Sequence, residues 1–294
     1  MINFLYHQTD PLAGSVQRLL RLRQQPFTEI ELPFRSSTEF HPIEDNPSAN
    51  WLVADAHSPA APAVMPKAGR KFGFIRHLKL FKYDPSPYDT LFMFSRFGQQ
   101  VMSRYYPQLK ICLCRIPFDP NHYLGYCCAK KQKNQLVFIQ PFTTESLHIL
   151  EVYYAEILAG AGFHVYHLFN GSLQEQDFIE HDKCLLRAGE LLGMDFVFCS
   201  NPESYYTRLA QAEVVMTLGW SHCISSLLAA AAMGVNVVAP AYGFYPEFFA
   251  QQNLFPPLNL ERAISLAISS PINNDGKENI RFPSSCDFIE MVGI

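Results

Sequence analysis

The sequence predicts an α/β protein of two domains, each built on a doubly wound parallel sheet. Three observations carry this. The 294 residues exceed what one compact domain usually holds, at roughly 100–200 residues per domain. Short apolar runs rich in β-branched residues alternate with segments whose apolar residues recur at helical spacing. The alternation is most regular in the second half, the pattern of parallel strands joined by helical crossovers.

Taken in order, residues 2–7 read as the first strand. A turn rich in chain breakers follows over 8–15, and then Val16, Leu19, Leu20 and Leu22 recur at helical spacing. Residues 50–57 form a short buried strand between Pro- and Ser-rich loops, and 71–77 a strand that ends in a histidine. A strand over 89–94, a helix over 97–106 and a strand over 110–116 complete the first half, before a break at 118–121. The polar run 130–134 reads as the linker, which divides the chain into domains 1–130 and 131–294. In the second half strands are expected at 136–140, 164–169, 195–199, 213–218 and 236–240, with helices between them. The C-terminal helices are expected to cross back onto the first domain.

Composition narrows the function classes. With 48% hydrophobic and 17% charged residues the chain is too apolar for disorder. The net charge of −4 and the lack of a dense Lys/Arg block argue against a nucleic-acid partner. No apolar run approaches the ~20 residues of a membrane span, and the N-terminus has no basic region or cleavage site of a signal peptide. None of the 8 cysteines sits in a CxxC pair, so no metal centre is expected. Reduced thiols in a cytoplasmic protein are the expectation.

Several segments, collinear through nearly the whole chain, carry a family resemblance. They are Pro11-Leu12-Ala13-Gly14-Ser15-Val16, Val53-Ala54-Asp55-Ala56-His57-Ser58, Phe74-Ile75-Arg76-His77-Leu78 and Ile116-Pro117-Phe118-Asp119. The best match is the apolar run from Ser225 to Pro240, followed by Tyr242-Gly243-Phe244-Tyr245-Pro246-Glu247. In this order they resemble the GT-B glycosyltransferases, closest to the large retaining family numbered four. The resemblance implies a GT-B-like fold of two Rossmann-like domains facing a cleft. The first would be the acceptor side and the second the donor side. It also implies sugar transfer from a nucleotide-sugar to a glycan, lipid-linked or protein acceptor, with no metal or other cofactor.

The departures matter as much. The family places an Arg and a Lys after the first donor-domain strand, where they neutralise the donor diphosphate; Pro141 and Ser146 stand there, and only Glu145 matches. The family's two donor-site glutamates fall on Ser221 and Ala229. Single oriented donors to a developing negative charge contribute about 3–4 kcal/mol each, so the lost cations call for a substitute. Arg76, Arg96, Lys183 and Arg208 are the basic residues expected nearest.

The residues expected to act are therefore His77 as the catalytic group, Gly14, Glu145, Ser221, His222 and Glu247 at the donor, and His57 on the acceptor side. Each has a plainer reading. His77 and His57 also fit strand-end histidines bonded to backbone, Ser221 or His222 a helix N-cap, and Glu145 a first-turn glutamate favoured by the helix dipole. Glu247 also fits a surface position. The rival to the enzyme reading is a catalytically inactive GT-B-like protein that binds, scaffolds or regulates. A sugar-nucleotide epimerase of the same fold is weaker, because it too needs carboxylates and cations.

Overall fold

The computed structural model describes residues 2–6, 11–32, 48–58, 60–76, 78, 80–139, 148–170, 187, 189–199, 201–218, 224–257, 259–269, 280 and 287–292. The chain divides into two compact units, one of Met1–Phe118 with Phe282–Ile294, the other of Asp119–Arg281. Among the described residues each unit holds one six-stranded sheet. No helix among them is long and apolar enough to cross a membrane.

The first sheet contains β1 (Ile2–Tyr6), β2 (Phe27–Glu31), β3 (Asn50–Val53), β4 (Arg70–Ile75), β5 (Thr90–Met93) and β6 (Ile111–Leu113). Their order is β2-β1-β3-β4-β5-β6, with every pairing parallel. The crossover from β1 to β2 is α1 (Pro11–Leu22), whose Leu12, Val16 and Leu20 recur four residues apart and are buried, while Arg21 and Leu22 face water. Gln17 and Arg21 on α1 donate to Glu29 of β2, the latter at 2.6 Å. Helices α2 (Ala60–Val64) and α3 (Arg96–Tyr105) follow β3 and β5. The Ser95 hydroxyl caps α3 by accepting from the Gly98 amide at 2.9 Å.

One face of this sheet is aromatic. Phe72 and Phe74 alternate along β4, and Phe92 of β5 stacks on Phe72 and tilts against Phe74. Strand β4 also passes close under Tyr88. A Cβ on Gly73 would come within 2.8 Å of the Tyr88 ring and 2.9 Å of Ala56 Cβ, so the buried ring needs glycine there. The last helix, α9 (Phe288–Met291), belongs to this unit. Phe288 meets Phe74 edge-on at 5.4 Å, and Asn50 donates to the Val292 carbonyl at 3.0 Å.

The second sheet contains β7 (Gln135–Ile139), β8 (His164–Asn170), β9 (Met194–Cys199), β10 (Val214–Met216), β11 (Asn236–Pro240) and β12 (Leu254–Phe255). Their order is β12-β11-β10-β7-β8-β9, again parallel throughout. The helices that concern the sheet include α4 (His148–Gly160), α5 (Pro202–Gln211), α6 (Ile224–Ala232), α7 (Tyr245–Phe248) and α8 (Leu260–Ser269). Tyr154, Ala155 and Leu158 of α4 and Ala263, Leu266 and Ala267 of α8 pack with sheet residues such as Phe138 and Met216 into one apolar cluster. On α6, eight of nine residues are buried, Ala229 among them. The polar run 130–134 precedes β7, with the Lys131 ammonium donating to the carbonyls of Ala210 at 2.8 Å and Met233 at 3.3 Å, where α5 and α6 end.

Two strands fall where none was expected. β2 is a polar edge strand of Phe-Thr-Glu-Ile-Glu, and β12 is two residues long; neither presents the apolar run that announces a buried strand. Among the expected strands most are trimmed, while β8 and β9 each gain a residue and β11 matches. The segment 50–57 is strand only to Val53, because the Asp55 carboxylate accepts the His57 amide at 2.9 Å and turns the chain.

Candidate functional site

In an open parallel sheet, ligands bind outside the carboxyl ends of the strands where the strand order reverses. In the first sheet β1 lies between β2 and β3, so the crossovers from it run to opposite sides, and the switch point lies between β1 and β3. Three elements meet that end of the sheet: the end of β1 at Tyr6, the first turns of α1, and the turn after Val53.

Gly14 lies inside the early turns of α1 rather than in a loop before it. A Cβ there would meet the Arg18 guanidinium at 3.8 Å, the one contact among the described residues. Arg18 is one helical turn on from Gly14 and Ser15, and side chains lean toward a helix N-terminus. Its guanidinium accordingly reaches back and donates to the Ser15 hydroxyl at 3.2 Å. The early turns of α1 thus join the positive end of a helix dipole to a full cation. Arg18 was absent from the basic residues expected near the site, although its spacing of four from Gly14 is the available signal. Of those expected, Arg76 is half-buried just past β4, Arg96 opens α3 and Arg208 lies exposed on α5, while Lys183 is outside the described residues.

His57 stands at the turn after β3. Its Nδ1 lies 3.6 Å from the Asp55 carboxylate, beyond hydrogen-bond range. The ring stacks on Phe81 at 4.6 Å, and its side chain is 12% exposed. Two hydroxyls hold this wall in place: the Tyr106 hydroxyl accepts from the Phe81 amide at 2.9 Å, and the Tyr83 hydroxyl donates to the Ala56 carbonyl. Burial pushes the Tyr83 and Tyr88 hydroxyls well above the ordinary phenol range, so both stay neutral at physiological pH. His77 lies outside the described residues.

In the second sheet β7 lies at the centre, with β8 and β9 on one side and β10 to β12 on the other. That is the arrangement of dinucleotide-binding sheets, and its switch point lies between β7 and β10. Glu145, Ser221 and His222 belong to the segments that follow these two strands and lie outside the described residues. What is described there is buried: Ile139 ends β7, and Thr217 and Leu218 follow β10. The Tyr242 hydroxyl donates to the Leu218 carbonyl at 2.8 Å, tying the segment after β11 to the switch point. Glu247 rides half-exposed on α7, whose Tyr245 and Phe248 are in the core with Phe244. Among the described residues no group of three or more His, Cys, Asp or Glu stands close enough to hold a metal ion.

No protein-family model matches the chain, and no curated protein matches it. Solved structures do. An α,α-trehalose-phosphate synthase (UDP-forming) from Burkholderia xenovorans, in complex with glucose-6-phosphate, superposes with a TM-score of 0.65 at 9% identity, covering 94% of each chain. An alpha-glucosyltransferase in complex with UDP-glucose and DNA containing an abasic site gives 0.57 at 12% identity, covering 99% of this chain and 97% of that one. The pneumococcal O-GlcNAc transferase GtfA, in complex with UDP and GlcNAc, gives 0.52 at 10% identity over 79% of this chain. The chain spans about half the length of GtfA and of TarM, 53% in each case. At these identities the likeness concerns the fold: two parallel six-stranded sheets with interleaved helices, matching the GT-B glycosyltransferases.

Proposed function

We propose that this protein is a glycosyltransferase that moves a sugar, a hexose or a close relative, from a nucleotide-sugar to an acceptor in glycan or glycoconjugate synthesis. The reading follows the resemblance to the retaining family-four enzymes, and it puts the work in the cytoplasm with no resident metal or cofactor. The nucleotide-sugar is the substrate; the acceptor is a glycan, a lipid-linked sugar or a protein, and not a nucleic acid. The observation that carries the reading is the Arg18 guanidinium beside Gly14 and Ser15, at the switch point of the first sheet. A diphosphate leaving group gains charge as the glycosidic bond breaks, and a positioned cation with helix amides stabilises that charge. Arg18 then takes part of the role the family gives to the cations replaced by Pro141 and Ser146. Glu145, Ser221, His222 and Glu247 complete the donor side, His77 the catalytic group and His57 the acceptor side.

The test is calorimetry with UDP and other nucleoside diphosphates, followed by turnover of their sugars. Arg18→Ala is expected to weaken diphosphate binding roughly tenfold or more, since hydrogen bonds to charged groups contribute about 1.5–3 kcal/mol, with Arg18→Lys between the two. His77→Ala is expected to abolish transfer at an unchanged Tm. If no nucleoside diphosphate or nucleotide-sugar binds the wild type, the enzyme reading fails and the inactive GT-B-like reading replaces it.

A further inference from the structure

The charge of this chain is unevenly spread. From Ala56 to Phe118 there are ten lysines and arginines against two acidic residues, Asp84 and Asp89, although the whole chain carries a net charge of −4. Within this stretch α3 runs alongside β6 with Gly98 and Met102 buried beneath it. Its outer face bears Phe97 and Tyr105, 38% and 63% exposed, on one stripe eight residues apart. Arg104 lies exposed on the same outer face, and Lys110 just beyond the end of the helix. The segment before β5 adds to the same place, because the Phe81 amide donates to the hydroxyl of Tyr106, the residue that ends α3. Its flanking residues are Leu80, 56% exposed, and Lys82, also exposed.

We infer that this face of α3, with the Leu80–Lys82 segment, docks on an anionic lipid bilayer. A helix lying in a membrane interface needs aromatic and aliphatic side chains to enter the headgroup boundary and cations around them to meet lipid phosphates. Phe97, Tyr105 and Leu80 supply the first, and Lys82, Arg104 and Lys110 the second. A polynucleotide fits less well. Leu80 gains nothing from a base face, and the surface is a convex helix rather than a groove that tracks a strand. Docking of this kind stands apart from sugar transfer, and its test uses no nucleotide.

The experiment is co-sedimentation of the full chain with vesicles of phosphatidylcholine alone and of equal parts phosphatidylglycerol and phosphatidylcholine. The wild type is expected to pellet with the anionic vesicles, to stay in solution with the neutral ones, and to be released by salt. The triple variant Lys82→Gln, Arg104→Gln, Lys110→Gln is expected to bind roughly a hundredfold more weakly, each basic residue near an anionic surface contributing about 1 kcal/mol. The pair Leu80→Ser, Tyr105→Ser is expected to weaken binding while keeping its salt dependence. Circular dichroism melts check that the variants fold, and the lipid and salt dependence of the wild type decides the matter without them. Equal pelleting with both vesicle types, no pelleting with either, an unaffected triple variant, or binding of a single-stranded oligonucleotide in preference to anionic vesicles would each overturn the inference.

Discussion

Lys131 shows how one side chain can join elements and leave a mark on stability. Its ammonium sits on the carbonyls of Ala210 and Met233, at the ends of α5 and α6, where helix dipoles favour a cation. Burial nonetheless outweighs this and lowers its pKa from 10.5 to about 8, with the nearby Cys127 pulling weakly the other way. The sign of the linkage follows. Between pH 8 and 10.5 the unfolded chain still holds a proton that the folded chain has released, so stability contributed at this site rises with pH. Below pH 8 both states carry the proton and the contribution is flat at its minimum. Tyr83 and Tyr88, whose pKa values are raised by burial, pull the other way at the alkaline end, but they are common to wild type and variant. The unfolding free energy of wild type minus that of Lys131→Met, from urea titrations, is therefore expected to rise across this window. A constant difference would show that Lys131 does not release its proton there.

Among the elements, the apolar ones were legible in the sequence and the polar ones were not. β11 spans the residues expected of it, and β7, β8 and β9 come within a residue or two, because they are buried runs with clear ends. β2 escaped because an edge strand needs only a partner for its backbone, and three of its five side chains are exposed. The same limit applies to the site: Gly14 and His57 could be singled out as residue types, but the return of Arg18 toward Gly14 depends on α1 forming. α6 offers a test of what its sequence tolerates. The resemblance puts a glutamate of the family at Ala229, yet Ala229 is fully buried, as are Leu227, Leu228 and Ala230. A carboxylate forced into such packing must be neutralised or drag water in. Ala229→Glu is expected to cost about 3–5 kcal/mol in urea unfolding rather than to restore a ligand contact. A stable variant that gains nucleotide-sugar affinity would show that α6 opens toward ligand at this position.

At the scale of the whole molecule, the first unit joins two stretches distant in sequence, Met1–Phe118 and Phe282–Ile294, with Asp119–Arg281 forming the second unit between them. The returning helix α9 is short, and its side chains do the holding. Phe288 and Ile289 are buried, Val292 is fully so, and Asp287 both caps the helix at the Ile289 amide and pairs with Arg23 at 3.2 Å. The ion pair is exposed and contributes at most about 1 kcal/mol. Phe288 matters more, because it stands edge-on to Phe74 in the aromatic face of β4 and β5. Its removal leaves a void against residues fixed by strand pairing, which collapse poorly. Phe288→Ala is expected to cost the first unit about 3–5 kcal/mol. The chain has 2 tryptophans, Trp51 and Trp220, and Trp51 is buried in β3 of the first unit. In a Trp220→Phe background its fluorescence reports on that unit alone, and its urea midpoint should fall on Phe288→Ala and fall further when the chain is ended at Arg281. An unmoved Trp51 transition would mean that the first sheet holds its core without the C-terminal helix.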